Sequence, residues 1–343
     1  MKKNRIFNAV VILGASVVVF VILAALQYIG VIDEYNGQLL TLSGIYIVVA
    51  LSLNLITGFT GQLALGQAGF MSVGAYTTAI AIMKFHVPML LAILIGGLVA
   101  AVFGIIIGFP TLRLRGDYLA IATLGFGEII RVLMINLGSL TGGAAGLKGI
   151  PAFSETENFV LDAVIKFSWV YVFAVITIVI ISNLINSSPG RAIISIREDE
   201  IAANSMGINI AYYKIFSFTL SAFLAGVGGG LYGIYMGYLN PTMFGFMPSM
   251  NIVVIVVLGG LGSITGTVVA SVAFTYIQEW LRVFKDLRLV IFGLALILVM
   301  IFWPKGLLGN KELSISGFLR KLFKRENNPE RTVSQQNGSR EGK

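Results

Sequence analysis

The chain has 343 residues, 57% of them hydrophobic and only 12% charged, with a mean hydropathy of +0.89; a soluble domain carries about 25% charged residues, so a soluble enzyme or binding module is excluded. The apolar runs are continuous rather than alternating, which selects helices over a β-barrel as the way to satisfy the backbone in lipid. The formal charge of +8 sits at the chain ends and in short loops, as membrane topology requires, so nucleic acid is excluded as a partner and membrane lipid is expected, while the absence of cysteine removes disulfides, thiolate nucleophiles and cysteine metal sites.

Met1-Lys2-Lys3-Asn4-Arg5 precedes an apolar run from Ile6 to Leu26. That run exceeds the ~7–15 residues of a signal-peptide core, so a retained first span over 6–29 is expected. Further spans follow at 39–57, 62–83, 88–108, 117–137, 168–186 and 213–237, then an interrupted stretch at 249–280 and a last span at 287–303. The fold class expected is all-α, a polytopic transmembrane helix bundle over 1–304. A basic and polar tail over 305–343, with Arg320, Lys321, Lys324 and Arg325, is expected to be cytoplasmic and disordered.

Lysine and arginine placement orients the chain. Lys2, Lys3 and Arg5 put the N-terminus in the cytoplasm, Asp33 and Glu34 lie outside, and alternation places Arg113, Arg115, Arg191 and Arg197 inside. The stretch 249–280 is broken at Gly259-Gly260-Leu261-Gly262-Ser263, with about nine apolar residues before the break where roughly 20 are needed to span. A glycine-broken re-entrant pair there, entering and returning on one side, leaves about eight full spans of the usual ~20-residue length and puts both termini inside.

Small residues recur every fourth position at Ala92, Gly96, Ala100, Gly104 and Gly108, at Ala222, Gly226 and Gly230, and at Ala64, Ala68 and Ser72. Such rows let backbones approach in lipid and indicate a many-helix bundle. A first glycine-rich interruption runs through Gly58, Gly61, Gln62, Gly66, Gln67 and Gly69; a second holds Gly259, Gly260 and Gly262. Paired interruptions in two halves of a chain point to a translocation path, and a flexible loop beside a packed helix is the plainer alternative. Glu128 and Arg131 lie on one helical face within a span, either as path residues or as a structural ion pair. His86, the one histidine, lies in a loop, so a Ser/His/Asp triad has nothing else to use. No His, Asp or Glu cluster has metal-ligand spacing; no catalytic residue, metal or cofactor is expected.

The polar stretch 187–212 is the sharpest local signal. Ser188 is expected to cap one helix with Pro189 in its first turn, and Gly207 to take the left-handed position after its end. The candidate docking residues are Gly190, Arg191, Arg197, Glu198, Asp199, Glu200, Ala202, Ala203 and Gly207. The element is either a docking site for a soluble partner or a helix lying on the membrane; the acidic run Glu198-Asp199-Glu200 disfavours anionic lipid.

The segments Asn54 to Ile80, Pro110 to Arg131, Gly190 to Ile208 and Leu258 to Gly266, in this order, resemble those of branched-chain amino acid ABC transporter permeases of the LivM family. Ala202-Ala203-x-x-x-Gly207 resembles the Glu-Ala-Ala-x-x-x-Gly loop by which such permeases dock on their ATPase, with Glu200 displaced one position by Ile201. The resemblance covers residues 39–308. It implies a permease subunit of a bacterial inner-membrane importer working with a second homologous permease, two ABC ATPase subunits and an extracytoplasmic substrate-binding protein. The sequence contains no G-x-x-x-x-G-K-[ST] phosphate loop, so ATP hydrolysis belongs to a partner. Uptake of urea or short-chain amides is the alternative within the family, and an ion-coupled secondary transporter the alternative outside it.

Overall fold

The computed structural model describes residues 19–153 and 159–284, save 28, 31, 112, 113 and 115, together with seven single positions between 287 and 306. Of the first expected span only 19–27 is described and is helical (α1). Most of 287–303, the tail beyond Gly306, and Arg113 and Arg115 lie outside the described residues.

The described chain continues as α2 (Glu34–Asn54), a π-helical turn (Leu55–Phe59), α3 (Gln67–Phe85), α4 (Met89–Thr111), α5 (Asp117–Asn136) and α6 (Gly138–Thr141). After strand β1 (Leu147–Lys148) come α7 (Phe159–Ile185), α8 (Ser188–Glu198), α9 (Glu200–Ser205) and α10 (Ile210–Met236). Strand β2 (Tyr238–Leu239), a 3-10 turn (Pro241–Phe244), α11 (Phe246–Gly259) and α12 (Ile264–Trp280) complete it. Among the described residues seven helical stretches are long and apolar enough to cross a membrane: Glu34–Phe59, Gln67–Phe85, Met89–Thr111, Asp117–Asn136, Leu161–Ile185, Ile210–Met236 and Pro241–Gly259.

Three elements differ from the sequence reading, each for a local reason. The third span starts at Gln67 rather than 62, because Thr60 to Gly66 is not helical. Helix α7 begins at Phe159 rather than 168: Lys166 and Asp162, one turn apart, pair at 2.5 Å, which offsets the polarity of that first stretch. The segment before the second glycine break is not the short stub expected, since α11 is helical from Phe246 and follows directly on the 3-10 turn.

One end of the bundle gathers the β1–β2 ladder, the bond from Lys84 Nζ to the Ser139 carbonyl (3.0 Å) and that from the Tyr235 hydroxyl to the Gln38 carbonyl (3.2 Å). The opposite end gathers both glycine breaks and the α8–α9 segment. Helix α12 runs antiparallel to α2 between these ends. Asn54 meets Ser263 and Thr267, Tyr46 lies edge-on to Phe274 at 5.8 Å, and Tyr35 interacts with Glu279. The second break therefore sits at an end of the bundle, where α11 turns into α12.

The small-residue rows form the centre. A Cβ on Gly74 of α3 would stand 2.1 Å from the Gly226 carbonyl oxygen of α10, and one on Gly226 would stand 2.5 Å from Ala100 Cβ of α4. A Cβ on Gly229 would stand 2.0 Å from the Met71 carbonyl oxygen. Since lipid supplies no hydrophobic drive between helices, this backbone proximity and the dispersion it permits hold α3, α4 and α10 together. Gly74→Ala must push rigid backbone apart and should cost about 1–3 kcal/mol, read as a lower unfolding midpoint in detergent. Gly125→Ala, where nothing lies within 4 Å of the new Cβ, should be silent.

Candidate functional site

The two interruptions, some 200 residues apart in sequence, meet. After α2 the helix widens into the π turn, Gln62 N–H donates to the Ile56 carbonyl (3.0 Å), and Gly61 takes φ +74°. At the second break Gly260 and Gly262 have φ +104° and +83°, and Ser263 caps α12 by accepting from Gly266 N–H at 3.0 Å. Asn54, fully buried at the end of α2, joins them. Its Nδ2 donates to the Ser263 carbonyl (3.0 Å) and the Thr267 hydroxyl (2.8 Å), and its Oδ1 accepts from Gly262 N–H (2.9 Å). A Cβ on Gly58 would stand 1.8 Å from Asn54 Oδ1 and 2.3 Å from Gly262 N, so this junction admits no side chain there.

Arg197, at the end of α8, reaches into the junction. Its Nη1 donates to the Gly58 carbonyl at 2.9 Å, while Nε and Nη2 bind Glu198 Oε1 at 3.1 and 2.5 Å. A Cβ on Gly61 would stand 2.8 Å from Arg197 Cγ, and one on Gly262 would stand 2.9 Å from Arg197 Nη1. One guanidinium thus sits against both breaks. Among the docking candidates, Arg197 is the one whose side chain meets the glycine breaks.

The charged stretch is two helices rather than one. Ser187, not Ser188, caps α8 by accepting from Gly190 N–H at 3.3 Å. Asp199 is extended and caps α9 by accepting from the N–H groups of Ile201 (2.8 Å) and Ala202 (3.0 Å). A capping aspartate inside an acidic run is indistinguishable by composition from a helix-surface residue, and that is why the sequence reading joins the two. Gly207 (φ +81°) donates to the Asn204 carbonyl and Ile208 to the Ala203 carbonyl, closing α9 with paired reverse bonds.

The remaining docking candidates divide by burial. Ala203 and Gly190 are packed inside, whereas Arg191, Glu198, Asp199, Ala202 and Gly207 are exposed. Glu200 pairs with Lys214, whose side chain is only 6% exposed, and so fastens α9 to the first turns of α10. Two residues outside the docking candidates stand out: Ile201 and Met206 are 74% and 83% exposed. An apolar residue interrupting the Glu-Ala-Ala pattern was the available signal for Ile201. Beneath α9 lies a cleft of about 280 Å³ lined by Gly61, Gln62, Leu119, Asp199, Ile201 and Lys214. Gln62 Oε1 is buried there without a hydrogen-bond partner.

The path candidates divide likewise. Gln67 is buried, its Nε2 donating to the hydroxyls of Ser52 (2.6 Å) and Ser221 (3.2 Å). Gly66 and Gly69 lie where a Cβ would stand 2.1 Å from the Thr123 carbonyl oxygen and 2.9 Å from Gly127 Cα of α5. Gly259 is closed against Gly266 in the same manner, at 2.7 Å. These residues are packing contacts here. Gly61 and Gln62 line the cleft. Glu128 and Arg131 lie apart from the breaks, on a flank of α5, bonded at 2.6 Å with side chains 38% and 28% exposed. Among the described residues no group of three or more His, Asp or Glu is placed to hold a metal ion.

The family described as "Branched-chain amino acid transport system / permease component" matches residues 35–300. The chain is 38% identical over 291 residues to the high-affinity branched-chain amino acid transport system permease protein LivM of Escherichia coli K12, covering 78% of this chain and 68% of that protein. It is 36% identical over 300 residues to LivM of Salmonella typhimurium, covering 81% and 71%. The permease protein LivH of the same organism is 27% identical over 299 residues, covering 81% and 95%. No solved structure matches the chain.

Proposed function

The chain belongs to the branched-chain amino acid transport system permease family, and from that premise we propose that it is the permease subunit of an ATP-driven importer for leucine, isoleucine and valine. It is a multi-pass membrane protein and a transport subunit, with ATP hydrolysis left to a partner. The geometry that carries this reading is Arg197: a charged segment outside the spans bonds one glycine break and lies against the other through one side chain. A segment so placed can convert movement of a soluble motor into rearrangement of two helices.

In this reading the Arg197 end of the bundle faces the cytoplasm of a bacterial cell, in line with the lysine and arginine bias, and both termini lie inside. The helices α11 and α12 form a hairpin that enters and returns on the outer side, which preserves the parity that places the tail inside. A second, homologous permease completes the path, as the likeness to both LivM and LivH suggests. Two ATPase subunits dock at α8–α9, and an extracytoplasmic binding protein delivers the substrate at the other end. The flank of α5 bearing Glu128 and Arg131 faces the second permease across the path, because a half-exposed ion pair in a span is costly against lipid.

Ile201 and Met206 serve as the apolar anchors of the ATPase contact. Fully burying one such side chain contributes about 1.5–3 kcal/mol. The double change Ile201→Ser/Met206→Ser should therefore weaken ATPase association at least tenfold without impairing membrane insertion, measured by co-purification and by titration in detergent. The function itself is tested by reconstituting the chain with its partner permease, ATPases and binding protein and following labelled leucine. Uptake should need ATP and all the partners. Uptake by this chain alone, driven by an ion gradient, would overturn the assignment.

A further inference from the structure

Glu128 and Arg131 are an ion pair of an unusual kind for a membrane span. Glu128 stands eleven residues after the start of α5, about 16 Å along it at 1.5 Å per residue, and Arg131 lies a turn further toward the helix end at Asn136. A pair that merely braces helices would be enclosed and saturated with hydrogen bonds, because unsatisfied polar groups are costly in a low-dielectric setting. This pair is neither. Arg131 engages Glu128 through Nε alone, to Oε2 at 2.6 Å, and among the described residues its two terminal amino groups and Glu128 Oε1 have no partner.

Both side chains border the start of α11. A Cβ on Gly245 would stand 3.6 Å from Arg131 Cδ and 3.6 Å from Glu128 Oε1. Helix α11 has no side-chain cap hydrogen bond at Gly245; since Pro248 carries no N–H and Ser249 N–H bonds the Gly245 carbonyl, the N–H groups of Phe246 and Met247 and the positive end of the dipole are what it can offer an anion. Next to Gly245, Phe244 packs on Tyr76 with ring centroids 6.2 Å apart, and the Tyr76 hydroxyl, on a residue 1% exposed, has no hydrogen-bond partner among the described residues. Phe246 and Met247 follow, 44% and 56% exposed. One place thus offers free guanidinium donors, a free carboxylate oxygen, an uncapped helix start and exposed apolar side chains.

The ligand chemistry that uses all of these is an α-amino acid with an aliphatic side chain. Its carboxylate and ammonium groups stand a bond or two apart and repeat, in reverse, the charges of the pair. We propose that Glu128, Arg131 and the start of α11 at Gly245 form a station for the main-chain groups of the transported amino acid. Arg131 and the helix start take the carboxylate, Glu128 takes the ammonium group, and Phe246 and Met247 face the side chain. The ion pair exchanges its mutual bond for bonds to the substrate, so the site is closed by its own charges when empty. This rests on the functional reading above and adds to it where the substrate is held.

The test uses the full complex in proteoliposomes with loaded binding protein, comparing wild type with Glu128→Gln, Arg131→Gln, Arg131→Lys and the double variant Glu128→Gln/Arg131→Gln. Each single neutralisation should lower leucine uptake at least tenfold, with assembly and binding-protein-stimulated ATP hydrolysis within twofold of wild type. Arg131→Lys should keep part of the uptake. The double variant should remain as impaired as the worse single one, since both substrate contacts are gone. A structural pair gives the opposite result, because removing both charges relieves the unpaired one; recovery of uptake in the double variant overturns the station. So does unchanged uptake in both single variants, or loss of assembly in both. If the wild-type complex takes up none of leucine, isoleucine and valine, the functional reading fails and the amino-acid assignment fails with it.

Discussion

Arg197→Ala should leave the assembled complex hydrolysing ATP at half the wild-type rate or more while leucine uptake falls about 10- to 100-fold, a range that corresponds to losing a charged hydrogen bond of ~1.5–3 kcal/mol. The bond at stake joins Nη1 to the Gly58 carbonyl, and the lost methylenes also fill the space left by Gly61. Coupling between two sites is a free energy carried by contacts that differ between states, and this contact bonds the proposed docking segment to the first interruption while lying against the second. Arg197→Lys keeps the stem and one donor but not the fork that binds Glu198 at the same time, so an intermediate uptake is expected. Paired measurements of ATP turnover and labelled uptake on the same vesicles decide the matter. An alanine variant with wild-type uptake per ATP removes Arg197 from the coupling route.

Asn54→Ala should destabilise the fold by about 3 kcal/mol. The residue is 0% exposed, and its amide makes three hydrogen bonds, to Gly262, Ser263 and Thr267. Each buried group left without a partner costs ~1–3 kcal/mol, and the Gly262 N–H loses the acceptor it has here. Asn54→Asp should be at least as severe. It keeps the acceptor for Gly262 but points a carboxylate oxygen at the Ser263 carbonyl in a dry setting. Thermal unfolding in detergent, followed by size-exclusion chromatography, reads both variants. If either melts with the wild type, the junction is not held by this side chain.

Apolar length and glycine clustering make the described spans from α2 to α11 and both interruptions legible in the sequence, because each is a property of neighbouring residues. The small-residue rows were legible for the same reason: a four-residue period lies within one helix, and Gly226 meets Gly74 and Ala100 as such a row predicts. What stayed hidden depended on contacts across the chain. Asn54 is one polar residue inside an apolar run, and nothing near it in sequence announces Gly262 as its partner. Arg197 reads as one charge in a charged loop, although its neighbour Glu198 is exposed and it is turned inward. The start of α7 was placed late because Asp162 and Lys166 count against a span when weighed singly and lose much of that cost once paired. The partial exposure of Glu128 and Arg131 depends on which helices leave that flank of α5 uncovered.

Asn54 also constrains how the molecule can rearrange. It ends one helix and clasps the first turn of another, α12, which lies antiparallel alongside. The two interruptions are therefore tied to each other by a buried amide rather than standing apart. On the proposed function, a displacement passed through Arg197 to the end of α2 is expected to reach α12 as well. On the proposed function, in which this end of the bundle opens and closes, a drug or an inhibitory peptide wedged at either interruption is expected to hold both.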